Sequence, residues 1–113
     1  MQAFNNFLSM LFMLLVAHVV CDYPLQGDFL SRAKNHRNPI AGVPWWQALV
    51  AHAIIHAGAV YLVTKSPVWA AVELVVHTDT DYQKCDGFLT FNQDQFCHVI
   101  TKVGIAFMVV YIG

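Results

Sequence analysis

Polar positions are scarce along this chain, and those that interrupt its apolar segments recur at one interval. Four such segments stand out: FLSMLFMLLVAHVVC (7–21), WWQALVAHAIIHAGAVYLV (45–63), VWAAVELVVH (68–77) and FCHVITKVGIAFMVVYI (96–112). Pro24 closes the first by removing a backbone donor and disfavouring helix before it. The Trp45–Trp46 pair opens the second as an interfacial anchor would. A membrane-spanning helix needs about 20 residues. The second and fourth segments approach that length unaided, and the first does when extended back to Phe4. The third is short unless helix continues through the polar TDTDYQK. A water-soluble bundle would need polar outer faces, which these segments lack. The pattern therefore predicts an all-α fold: one membrane-embedded domain over 1–113, an antiparallel four-helix bundle with helices near 4–23, 45–63, 67–84 and 94–112.

Within that frame the spacing carries the chemistry. The first helix has His18-VVC-Asp22, the second His52-AII-His56, the third His77-TDT-Asp81 and the fourth Asp94-QFC-His98. Residues at i and i+4 share a helix face one turn apart. In an up-down bundle the fourth helix runs opposite to the first and third, and its pair is written in the opposite order. Asp22, Asp81 and Asp94 then fall at one level, and His18, His77 and His98 about one turn (~6 Å) deeper. His52 joins the first level and His56 the second. Two layers of donors on facing helices are the layout of a dinuclear metal site in a bundle core. Mixed imidazole and carboxylate donors suit one or two divalent transition metals such as Zn, Mn or Fe. The competing readings are hydrogen-bonded helix ties and bis-histidine haem ligation, the latter a poor match for the carboxylate layer.

A third level pairs Glu73, one turn before His77, with Lys102, one turn after His98. Glu73 is an extra ligand or base on one reading; the simpler one is a buried ion pair. Gln26, Lys34, Lys84 and Gln95 ring the shallow end. Those lysines either grip an anionic substrate or snorkel to headgroups.

Composition agrees with a bilayer. The 113 residues are 58% hydrophobic and 12% charged, with a mean hydropathy of +0.51. A net charge of −1 excludes a polyanion binder, so no nucleic-acid partner is expected. Nothing basic precedes Arg32 and no small-x-small site follows the first apolar run, so a retained helix is expected there rather than a signal peptide. Arg32, Lys34, Arg37 and Lys84 lie in two loops on one side, and only Lys65 on the other. The positive-inside rule then predicts a multi-pass inner-membrane protein with both termini outside. Cys21, Cys85 and Cys97 form no CxxC pair and suit packing roles in a reduced setting.

The string H-x3-D-Y-x-L-Q, a lysine, then H-x3-H, H-x3-D-x2-K and D-Q-x2-H resembles Domain of Unknown Function 3307, a family of small bacterial and phage integral-membrane proteins. The likeness spans residues 14–107. It implies a membrane fold and marks the same polar residues, and it implies no activity.

The leading expectation is a metal-dependent hydrolase acting on a phosphate- or ester-containing amphiphile at the cytoplasmic interface. The eight His and Asp residues would be ligands, Lys84 a substrate clamp, and Asp94 or Asp81 a general base. The alternatives are a metal-ion or proton transporter and a non-catalytic phage or bacterial membrane protein with a structural metal. The lipid bilayer is the expected partner, with a lipid-like or small-molecule substrate; no oligomeric state is implied.

Overall fold

A computed structural model describes residues 1–113 as helices and short loops without a strand. The elements are α1 (Gln2–Asp22), α2 (Gly27–Ala33), α3 (Trp45–Thr64), α4 (Pro67–Cys85) and α5 (Phe91–Phe107). α5 runs on as a π-helical segment, Met108–Ile112.

The boundaries have local causes. Pro67 opens α4 at a position where its missing N–H is no loss, and the Ser66 hydroxyl accepts the Trp69 N–H at 3.3 Å. α5 starts three residues before the Asp94 expected from the apolar pattern. Its first turn is fixed by a reciprocal cap: Gln93 N–H donates to Thr90 Oγ1 at 3.1 Å, and Thr90 N–H to Gln93 Oε1 at 3.0 Å. α2 lies outside the four-helix expectation. After α1 ends at Asp22 the chain turns and restarts at Gly27, whose φ of +65° suits a residue without Cβ.

α3 packs against α1 and α4, and α5 packs against α1 and α4, so the four long helices close a ring; α2 leans on α3. Its interior is inverted. Of the 22 buried residues, 12 are polar or charged. The apolar core, Leu14, Val60, Ile105 and Ala106, occupies the end away from α2. Meanwhile Phe12, Ile54, Leu62, Val75, Phe96 and Ile100 are exposed on the outer surface. Such a distribution is stable where the surroundings are apolar and the interior supplies partners for polar groups. Three helices are long and apolar enough to cross a membrane: Gln2–Asp22, Trp45–Thr64 and the continuous Phe91–Ile112. α4 is not among them, because Glu73, Asp79, Asp81 and Lys84 interrupt it.

The loop after α2 is strapped to the end of α4. The His36 ring stacks on Tyr82 at 4.0 Å, its Nε2 lies 3.0 Å from Asp86 Oδ1, and Arg37 Nε donates to the same oxygen at 2.8 Å. Asp86 is thus tied down, and these two partners hold its carboxyl below the usual carboxylate range. The three cysteines are free thiols.

Candidate metal centre

The i, i+4 pairs on four helices put their side chains into one cluster. His52 Nε2 and His56 Nε2 each lie 3.1 Å from Asp22 Oδ1. Asp81 is the other hub. Its Oδ1 lies 3.1 Å from His98 Nε2; its Oδ2 lies 2.8 Å from Lys34 Nζ, 3.3 Å from His77 Nε2 and 3.5 Å from His52 Nε2. Asp94 Oδ1 reaches His98 Nε2 at 3.2 Å. The two separate donor layers expected from the spacing merge, because imidazole arms from adjacent turns of α3 converge on one carboxylate oxygen.

Hydrogen-bond logic assigns several of these rings. A carboxylate only accepts, so His77 Nδ1, 3.1 Å from Glu73 Oε2, carries the proton. Glu73 Oε1 in turn sits 2.7 Å from Lys102 Nζ, the ion pair expected at the third level. In the neutral ring, His77 Nε2 is then a lone pair. It is buried, has no hydrogen-bond partner and faces a carboxylate oxygen at 3.3 Å. A cation beside that pair relieves the repulsion of the two lone pairs, and the Lys34 ammonium is one, 2.8 Å from the same oxygen. A carboxylate behind a histidine, fixing its tautomer and raising its basicity, is the usual support of a metal ligand.

His18 is different. Its Nε2 lies 3.0 Å from Gln95 Oε1, and an amide oxygen only accepts, so this nitrogen donates. Gln95 Nε2 passes the link on to Asp22 Oδ2 at 2.7 Å. His18 thereby positions Gln95, and Gln95 positions Asp22.

Three groups of donors have all their ligand atoms within 4.8 Å of one another: Asp22 with His52, His56 and His77; Glu73 with His77 and His98; and Asp81 with Asp94 and His98. Ligand atoms around a tetrahedral zinc stand ~3.3 Å apart, given Zn–N of about 2.0–2.1 Å. In the four-membered group His52 and His56 stand 3.1 Å from Asp22, and one carboxylate with three imidazoles could hold a divalent transition metal.

The cluster is open on one side. A cavity of about 330 Å³ reaches it between α2 and the ends of α1, α4 and α5, with Asp22, Gln26, Lys34, Lys84, Asp94 and Gln95 in its wall. Lys84 stands over the Phe91 ring, Nζ 5.0 Å from its centroid, at the outer edge. Lys34 is only 3% exposed. Gln26 donates to the Asp22 backbone carbonyl at 3.0 Å. Asp81 is absent from the wall. Reasoning from spacing placed Lys34 on a rim loop and did not foresee α2 as the cavity wall. A seven-residue helix shows too little periodicity to be detected.

No curated protein and no solved structure matches this chain. A family model does, over residues 10–112. That stretch contains every helix but the start of α1 and every residue of the cluster, and the chain belongs to the family described as Protein of unknown function (DUF3307).

Proposed function

We propose that this is a multi-pass inner-membrane protein, an antiparallel four-helix bundle around a divalent transition-metal centre of Zn, Mn or Fe. The centre hydrolyses a phosphate- or ester-containing amphiphile at the cytoplasmic interface. The observation that carries this reading is the cavity that ends on Asp22 and Asp94 with Lys34 and Lys84 beside them. A purely structural tie between helices needs no such mouth. Arg32, Arg37 and Lys84 gather at this end and Lys65 at the other, a bias that supports a cytoplasmic mouth under the positive-inside rule. Tyr23, Leu25 and Phe29 are exposed at this end of the molecule, which supports contact with lipid headgroups.

A bound divalent cation would lower the pKa of a ligated water and offset charge developing on the reacting group. The chain's own residues do the rest. Asp94 faces the cavity and shares the His98 Nε2 with Asp81, 3.2 Å from its own Oδ1; it suits a general base better than Asp81, whose Oδ2 the Lys34 ammonium grips at 2.8 Å. The water oxygen bonds to phosphorus or acyl carbon and its proton passes to Asp94. The ester oxygen departs with the bonding pair and collects that proton. Lys84 holds the anionic group at the rim. Transport is less well supported, since the polar line ends at Glu73–Lys102 and gives way to the Leu14, Val60, Ile105 and Ala106 core.

Metal content of detergent-purified protein, with a panel of phospholipids and lipid-linked phosphates, tests the reading. The wild type is expected to hold metal and cleave a panel member, and His52→Ala with His77→Ala to lose both. Metal without cleavage would make the cation a structural staple. Uptake into sealed vesicles would make the protein a transporter, and absence of metal would overturn the centre itself. Glu73→Gln should weaken metal binding ~10–100-fold, as loss of a supporting carboxylate does. Competition with a chromogenic chelator measures this, and unchanged affinity would remove Glu73 from the centre.

A further inference from the structure

We infer that the centre takes a single divalent cation, and that the Lys34 ammonium stands where a second metal ion would sit. This rests on the metal reading above and narrows it.

The first argument is charge. Four carboxylates are buried in the ring: Asp22, Glu73, Asp81 and Asp94, none more than 9% exposed. Two ammonium groups are buried with them, Lys34 and Lys102, at 3% and 1%. Counted over the carboxylates and ammonium groups alone, the formal balance is −2. One divalent cation cancels it. Two would leave the opposite excess, which an interior walled by apolar helices bears no better.

The second argument is geometric. In a two-metal site a carboxylate bridges ions that stand about 3.5–4 Å apart. Asp81 is the residue that would bridge here. Its Oδ2 is 3.3 Å from His77 Nε2 and 3.5 Å from His52 Nε2, both members of the four-donor group. The same oxygen lies 2.8 Å from Lys34 Nζ. The oxygen that faces two imidazoles of the four-donor group therefore already meets a fixed positive charge. His77 Nε2, buried and without a hydrogen bond, stands 3.3 Å from that oxygen.

The third argument is where Lys34 comes from. It sits at the C-terminal end of α2, not on the ring of long helices, and it also forms part of the cavity wall. It supplies to an incoming anion the charge a second ion would supply, and no chelator can remove it.

The test is a Mn²⁺ titration of the full-length, metal-stripped protein in detergent, read by bound equivalents and by electron paramagnetic resonance. The wild type should bind about one ion with an uncoupled Mn²⁺ signal. Lys34→Glu, which replaces the ammonium with a further ligand, should bind a second ion and show spin coupling. Lys34→Arg should stay at one. Two ions in the wild type would overturn the inference and leave the metal centre standing; none would overturn the centre itself. A single ion in both wild type and Lys34→Glu would overturn the role given to Lys34. If Lys34→Glu does not fold, Lys34→Gln is titrated instead: a second, weaker equivalent is expected, and its absence overturns the inference.

Discussion

Asn in place of Asp94 should lower hydrolysis ~10²–10⁴-fold, the usual contribution of a positioned base, while bound metal stays at the wild-type level. Asp94 faces the cavity, and it is not among the four donors Asp22, His52, His56 and His77. Its backbone should not move, because the Thr90–Gln93 cap fixes the first turn of α5 independently. An amide keeps the shape and removes the proton acceptor. The two readouts separate the possible roles: loss of rate with metal retained marks a base, whereas loss of both marks a ligand. Full activity in Asp94→Asn would refute the assignment.

The second large effect concerns stability. Asp81→Ala should destabilise the protein by ~3–5 kcal/mol, the typical penalty for removing one partner of a buried ion pair. Asp81 is 2% exposed and meets Lys34, His52, His77 and His98 within 3.5 Å. Its loss leaves the Lys34 ammonium buried without a counter-charge. In a detergent melt this corresponds to a fall of roughly 15 °C, scaling from small domains. Asp79 is the internal control: it is on the same helix but exposed, and bonded only to Gln83. Asp79→Ala should stay within about 0.5 kcal/mol of wild type. Equal melts for the two variants would show that Asp81 is not the hub its distances imply.

Much of this arrangement could be read from spacing alone. The all-α class and the three candidate spans follow from segment length and hydropathy, and the i, i+4 rule places His77 with Asp81 and Asp94 with His98, as the distances have it. The Glu73–Lys102 pair is legible because both residues stand one turn from a histidine. What spacing could not supply is anything held by long, flexible arms or by loops. Lys34 reaches Asp81 across 47 residues of sequence from the end of a helix too short to announce itself. His18 carries the same i, i+4 signature as the others, yet an amide oxygen takes its nitrogen. Only the position of Gln95, on a different helix, decides that. The early start of α5 was readable from T-x-x-Q, a capping signature that the apolar pattern masks.

The charged interior of α4 also constrains how the protein is made. Glu73 finds its counter-charge in Lys102, on α5, and Asp81 finds its own in Lys34, before α3. Offered alone to an insertion machine, α4 would carry unpaired carboxylates into hydrocarbon, and it lacks the apolar length to offset them. A bilayer route would therefore need α4 held back until α5 has emerged from the ribosome, the two entering as a hairpin, because only α5 brings Lys102 to Glu73 and His98 to Asp81.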